Sequence, residues 1–320
     1  DAGHQVVGVT LRLWGGESDS GCCSISDVDD ARRVADRLGI DHHVFNFGDE
    51  FDSYVVSSYV SDHALGRTPN PCIECNRHIK FDRLLNRSRI LGFDQLATGH
   101  HARIVEKPDG SFRIARSADR AKDQSYVLHM IKSDQLKDLV FPIGNLTKTD
   151  VRKEATRLGL RVADKPDSQE VCFITSRDGR SDFLNRRIPL TPGQVVSASG
   201  EKLGEVDAVE LVTIGQRRGI NLSGGHGPRY VTEVNVPERT VTVGSSLDLL
   251  VDQTPLETVQ WIGGRTDQEV LVQTSAHGKS EWATVQDCEV HWVKPHKRVA
   301  TGQSVVFYQS DEVIGGGLAR

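Results

Sequence analysis

No stretch of this 320-residue chain approaches the roughly 20 consecutive apolar residues that a membrane-spanning helix needs, and the first residues are not ordered like a secretory signal. A membrane role is therefore not expected. Cysteine is sparse, six in the whole chain. That is far from the density of a small disulfide-stapled secreted domain, and it points to a reducing, cytoplasmic setting and to thiol chemistry. A second C-x-x-C and an H-x-x-x-H are both missing, so the one C-x-x-C pair does not complete a zinc finger, and no metal-ligand set is assigned. Positive charge is not in excess either. Lys and Arg number 39 against 44 Asp and Glu, a net charge of -5. That argues against a generic nucleic-acid coat and leaves room for an RNA enzyme with a local basic face. Tandem repeats and low-complexity tracts are absent. With 37% hydrophobic residues, the length supports two or three domains with cores of their own.

The most informative stretch runs from Gly66 to Lys80 and reads G-R-T-P-N-P-C-I-E-C-N-R-H-I-K. Pro69 and Pro71 stiffen the backbone just ahead of Cys72 and Cys75, so the thiols are expected where a rigid loop becomes a helix. The partial positive charge of a helix start favours thiolate over a free thiol of pKa about 8.5. Around this stretch, strand and helix patterns alternate. Val6 to Leu11 reads as a strand. Val28, Ala31, Ala35 and Leu38 form a helical stripe stopped by Gly39, and His43 to Phe47 reads as a second strand. Helices are predicted from about Glu50 to Leu65 and from the proline loop to near Gly92. A short strand follows at Gln95 to Gly99, and then a hairpin, Ala102 to Val105 with Phe112 to Ala115. Such alternation implies a parallel sheet with helices on both faces, whose ligands bind beyond the carboxyl ends of the strands, where Leu11, Gly99 and His100 fall.

Further helices are predicted over Gln124 to Leu139 and Thr149 to Leu158, the second closed by Gly159. From Pro192 the chain turns rich in Val, Thr and Gly, with turn signals at Ala198 to Gly200, Ser223 to Gly225 and Val236 to Glu238, and reads as mostly β. A break near Leu250 to Pro255 divides this half, giving domains at 1–180, 181–250 and 251–320. The remaining thiols have plain readings: Cys172 in an apolar strand, Cys22 and Cys23 as incidental packing, Cys288 as core. On residues alone the C-x-x-C pair remains open to redox or iron-sulfur roles.

Five motifs in order, T-P-N-P-C-I-E-C-N-R-x-I-K-F, A-T-G-H (Ala97 to His100), K-D-Q-S-Y (Lys122 to Tyr126), D-S-Q-E-V-C-F-I (Asp167 to Ile174) and G-Q-R-R-G (Gly215 to Gly219), resemble the tRNA-specific 2-thiouridylases. Gly302 to Tyr308 and the closing triple glycine extend the match. The resemblance implies an α/β, parallel-sheet, adenine-nucleotide-binding catalytic domain of PP-loop ATPase type, followed by a small β-rich central domain and a C-terminal β-barrel. It implies ATP-dependent replacement of the C2 oxygen of the wobble uridine by sulfur from a cysteine persulfide, with Mg2+ beside the ATP. By motif Cys75 is the nucleophile and Cys172 the persulfide carrier, the pair closing a transient disulfide after transfer. The loop bearing Cys172 is then expected to be a lid over the start of the Cys75 helix. Leu11 and Gly99 match the ATP site. Asn70, Pro71 and Cys72 match the segment that holds the unstacked target base. His100, Lys122, Asp123, Gln124 and Gln303 match tRNA contacts. Implied partners are the tRNAs for Lys, Glu and Gln and a cysteine desulfurase or a sulfur-relay protein.

The chain departs from the family pattern in three places. Cys72 stands where many relatives carry Asp, which keeps an iron-sulfur thiolase using Cys72, Cys75 and Cys172 as an alternative. Thr274 to His277 replaces a basic and aromatic pair. The S-G-G-x-D-S phosphate loop and its strand are not in the sequence, so the chain as it stands is expected to bind ATP poorly. A noncatalytic tRNA-binding fragment is the remaining alternative.

Overall fold

The computed structural model describes residues 3–14, 25–165, 171–174, 179–222 and 227–320. Cys22, Cys23, the polar half of the D-S-Q-E-V-C-F-I motif (Asp167 to Glu170) and the turn at Ser223 to Gly225 lie outside them.

The first domain is built on two parallel strand pairs. Strand β1 (Val7–Arg12) pairs with β2 (Asp41–Asn46), and β3 (Leu96–Ala97) pairs with β6 (Leu139–Val140). Between β3 and β6 lie the hairpin strands β4 (Ala102–Glu106) and β5 (Phe112–Arg116). Among the described residues β1 and β3 are not paired with each other, so the sheet exists as two separate halves. Helix α1 (Ile25–Leu38) covers one face of β1 and β2, and its chain turns back at Gly39, as the stripe of apolar residues predicts. Helical residues 48–64 (α2) and 71–90 (α3) follow. Each contains a wider-wound stretch, Asp52–Val56 and Cys75–Leu84. Such π-type winding interrupts regular helices mostly at functional sites. Helix α4 (Lys148–Arg157) begins with a reciprocal Thr147 and Asp150 cap, and α5 (Gly179–Asn185) precedes the β half.

The predicted helix over Gln124 to Leu139 is not one. The chain instead makes two tight turns, Ser125–Leu128 and Ser133–Asp138, before entering β6. The reason is local. Asp123 captures the amide and hydroxyl of Ser125, and Lys132 is extended, while Tyr126, Leu128, Ile131 and Leu136 all still reach the core.

In the central domain, β7 (Gly193–Ser197), β8 (Lys202–Val206), β9 (Asn221–Leu222), β10 (Tyr230–Asn235) and β11 (Thr240–Gly244) form one five-stranded sheet in the order β10, β11, β7, β8, β9. The last six strands are β12 (Leu250–Trp261), β13 (Val270–Gln273), β14 (Glu281–Gln286), β15 (Glu289–Lys297), β16 (Ser304–Gln309) and β17 (Glu312–Ala319). They close into a barrel, because β12 pairs with β15 along its first half and with β17 along its second. The predicted break at Leu250 to Pro255 is thus continuous strand. What changes around Pro255 is the partner. Hairpin strand β5 joins the edge of β17 through Ala115 and Glu312, so the first domain extends the barrel sheet. Cys288, read as core, is exposed instead: Asp287 and Cys288 form the two-residue turn between β14 and β15, both with positive φ.

Candidate active site

Asn70 is the cap of α3. Its backbone is extended and its Oδ1 accepts the Cys72 amide at 3.1 Å, while Pro71 takes the first helical position, where no amide is needed. Cys72 is exposed. Cys75, nearly one turn further on, is turned inward and only 8% exposed. The next residue, Asn76, is buried and donates to the Val127 carbonyl at 3.0 Å, which fixes the helix start to the turn after Asp123.

Cys75 belongs to a hydrophobic cluster with Leu13, Phe47, Phe51, Val55, Tyr59, Ile79 and Phe173, and Leu11 and Cys172 pack against the same cluster. The two thiols assigned by motif therefore share one apolar environment, reached from opposite ends of the first domain. Cys172 lies in a turn and not in the predicted strand. Its neighbour Phe173 is 3% exposed, its ring 5.4 Å from Tyr59, 5.7 Å from Phe51 and 6.2 Å from Trp14. The residue that follows Cys172 is thus an aromatic anchor in the cluster. On the near side, Lys165 pairs with Asp27 at 2.6 Å and Asp30 at 3.2 Å on α1.

Leu11 and Gly99 both lie at the carboxyl ends of parallel strands. Gly99 is exposed, and a side chain added there would meet nothing within 4 Å. An open strand end of this kind suits the approach of a nucleotide. A cavity of about 330 Å3 lies elsewhere, between β1 and α1, lined by Thr10, Asp27, His42 and Lys165 among others and by neither cysteine.

The residues matched to tRNA contacts are more occupied. His100 is buried, its ring 5.6 Å from Phe81 and 5.7 Å from Phe141, and it shares a 2.8 Å hydrogen bond with Thr98. Burial, with Lys80 and His101 nearby, pushes its pKa down to about 3, so it is neutral at pH 7. Asp123 pairs with Arg116 at 3.1 Å, and its carboxylate accepts the Ser117 amide at 2.8 Å and the Ser125 hydroxyl at 2.8 Å. That Ser125 hydroxyl is 3.1 Å from the Tyr308 hydroxyl, and Arg116 lies 3.7 Å over the Tyr308 ring. Gln124 accepts the His101 amide at 2.8 Å. Lys122 is half-buried, in the short turn capped by Asp119. Gln303 donates to the Thr68 carbonyl at 3.0 Å. Arg116, Tyr308, Asn76 and Phe173 carried no role in the sequence reading, although Asn76, Phe173 and Tyr308 fall within the matched motifs. Among the described residues, no three His, Cys, Asp or Glu side chains gather as a metal-binding group, and that includes Cys72, Cys75 and Cys172.

The parallel-stranded first domain, whose two motif thiols pack on one cluster, and the two β domains appended to it fit the class of HUP-domain proteins with C-terminal β-barrels. The family model described as the tRNA methyl transferase HUP domain matches residues 1–176, the corresponding PRC-barrel model matches 181–245, and an aminomethyltransferase β-barrel model matches 253–319. The tRNA-specific 2-thiouridylase MnmA of Acidothermus cellulolyticus is 44% identical, covering 98% of this chain and 90% of that protein. Those of Roseiflexus sp. and Thermobifida fusca are 41% and 42% identical, over 100% and 98% of this chain and 94% and 88% of theirs. The chain belongs to the tRNA-specific 2-thiouridylase family.

Proposed function

We propose that this chain is a tRNA-uridine 2-sulfurtransferase, which uses ATP to activate C2 of the wobble uridine and installs sulfur there. The relatives are named for thiolation, while the description of the first family model speaks of methyl transfer. The observation that carries the sulfur reading is the packing of Cys75 and Cys172 against one hydrophobic cluster.

Leu11 and Gly99 would line the nucleotide site, where ATP, with Mg2+, supplies the adenylyl group that makes the C2 oxygen a leaving group. Asn70, Pro71 and Cys72 hold the unstacked base over the helix start. The terminal sulfur of a persulfide on Cys172 bonds to C2 as AMP departs with the oxygen. The Cys75 thiolate then attacks the remaining Cys172 sulfur, leaving sulfur on the base and a Cys75–Cys172 disulfide that an external thiol reopens. Burial of Cys75 keeps water from the activated carbon. Asp123 and Gln124 hold the turn that presents Lys122 to the RNA, and His100 shapes the strand end beside Gly99. The persulfide comes from a cysteine desulfurase or a relay protein in the cytoplasm, and the substrates are the tRNAs for Lys, Glu and Gln.

A single-turnover thiolation assay on the natural full-length protein tests this. Sulfur incorporation is expected to fall by a factor of roughly 10³ or more in Cys75→Ser and in Cys172→Ser, and to persist in Cys288→Ser. Incorporation that survives in Cys75→Ser defeats the mechanism. A brown, iron-containing active protein would do the same in favour of a cluster.

A further inference from the structure

Residues 66–68, just ahead of the capping Asn70, are held by both β domains. The Thr68 amide donates to the Thr301 carbonyl at 2.7 Å, and the Thr68 carbonyl accepts from the Gln303 side chain at 3.0 Å. Arg67 is bridged between Asp62 on α2, at 3.3 Å, and Glu257 on β12. Gly302, with φ of +85°, lets the barrel turn lie flush on this strap: a Cβ there would sit 3.2 Å from Arg67 Cβ and 3.4 Å from the Thr68 amide. From the central domain, Thr213 faces the Thr68 hydroxyl at 3.4 Å, and Val236 would stand 2.8 Å from any Cβ on Gly66. The barrel side of the contact is itself fixed, because the Gln303 backbone bonds Ala300 and Ala319.

We infer that Gln303, with the Arg67 and Glu257 pair, is a latch by which the C-terminal barrel sets the position of Cys75, so that Gln303 acts as a positioning residue. The segment between latch and thiol is stiff. Pro69 and Pro71 each lock one backbone angle, and Asn70 is tied to the Cys72 amide, so a displacement at Thr68 is passed on to the helix start and is not absorbed. One N–H of the Gln303 side-chain amide is committed to Thr68, in a part-buried hydrogen bond that costs stability to break. The inference rests on the reading of Cys75 as the nucleophile, since only then does the placement of this helix start decide a rate. A misplacement of about 1 Å from a change remote from the reacting atoms can cost on the order of 10²-fold in rate.

The test uses the full chain with Gln303→Met, which keeps length and loses the donor, with Glu257→Gln, and with both together. Three quantities are read: tRNA Kd, the single-turnover rate at saturating tRNA, and the rate at which iodoacetamide alkylates Cys75, located by mass spectrometry. The latch predicts a saturating rate about tenfold lower in each single variant, a Kd within twofold of the parent, alkylation of Cys75 several-fold faster, and a double variant little worse than either single one. A raised Kd with an unchanged saturating rate makes Gln303 an RNA contact and overturns the latch, as does no change in any of the three. If Cys75→Ser still thiolates tRNA, the functional reading fails, while the alkylation arm still judges the latch by itself.

Discussion

The two flanks of the first domain are built by different physics. On the flank facing the β domains, polar groups are paired one by one: Asp123 with Arg116, Ser117 and Ser125, Tyr126 with the Ser304 carbonyl at 2.7 Å, Gln303 with Thr68. On the other flank, β1 and β2 form a two-stranded parallel sheet with Val9 38% and Val44 41% exposed, and Cys172 packs against the cluster that holds Phe173. Parallel sheets are normally covered on both faces, so this flank is lightly covered among the described residues. The comparison shows how the motifs divide. Those matched to RNA contact lie on the bonded flank, where most of their side chains have protein partners, whereas Leu11, Cys75 and Cys172 pack in or against one apolar cluster. Directional bonds suit a segment that must be held in one place, and the proposed sulfur chemistry falls on the apolar cluster that Cys75 and Cys172 share.

Removing Asp123 attacks the bonded flank most directly. Its carboxylate is 7% exposed, and Asp123→Ala leaves the Arg116 guanidinium, 15% exposed, without its anion. Breaking a buried pair by taking one partner costs about 3–5 kcal/mol. Urea unfolding of the full chain is expected to show a loss of that size, together with a weakened barrel contact. A loss below about 1 kcal/mol would make the network incidental and erase the contrast between the flanks.

Much of this division was legible in the sequence, and the rest was hidden for identifiable reasons. Period-2 and period-3.6 patterns place β1, α1, β2, the β4 and β5 hairpin and α4 where they are, because each buries one face locally. They fail at 125–138, where Asp123 and Ser125 divert the backbone into tight turns while the apolar residues remain buried. They fail again at Cys288, where an exposed turn is written by backbone geometry and not by residue type. The pairing of Ala115 with Glu312 and the bridge from Arg67 to Glu257 join distant parts of the chain and leave no mark in either local pattern. The thiols were visible as motif cysteines, but their shared cluster emerges only from the fold.

Acid sharpens the comparison by striking the same flank. His63 contacts the Glu210 carbonyl of the central domain, His129 bonds the Tyr126 carbonyl, and His100 lies between Phe81 and Phe141; burial pushes their pKa values down to about 4, 4 and 3 from 6.5. The unfolded chain therefore binds more protons than the folded one between those values and 6.5. Stability from these groups is complete above about pH 6.5 and is lost as pH falls toward 4. Going from pH 6.5 to 5 is expected to cost about 2 kcal/mol for each histidine, and His129→Gln should flatten the urea midpoint against pH. A midpoint independent of pH between 7.5 and 5 would mean that the bonded flank opens to water readily.

The smallest expected effect concerns the cysteine nearest the proposed nucleophile. Cys72 and Cys75 lie within one turn of one helix, yet Cys72 is exposed and Cys75 is buried against the cluster that Cys172 shares. The bond that organises the helix start, from the Cys72 amide to Asn70, is made by backbone and survives any change of the Cys72 side chain other than to proline. Cys72→Ala is therefore expected to shift stability by no more than about 0.5 kcal/mol and to lower single-turnover sulfur transfer only a few-fold, through its place beside the base. A loss as complete as that of Cys75→Ser would restore the C-x-x-C pair as the working couple. It would also move the chemistry from the packed flank, where Cys172 sits, to the exposed surface of the helix.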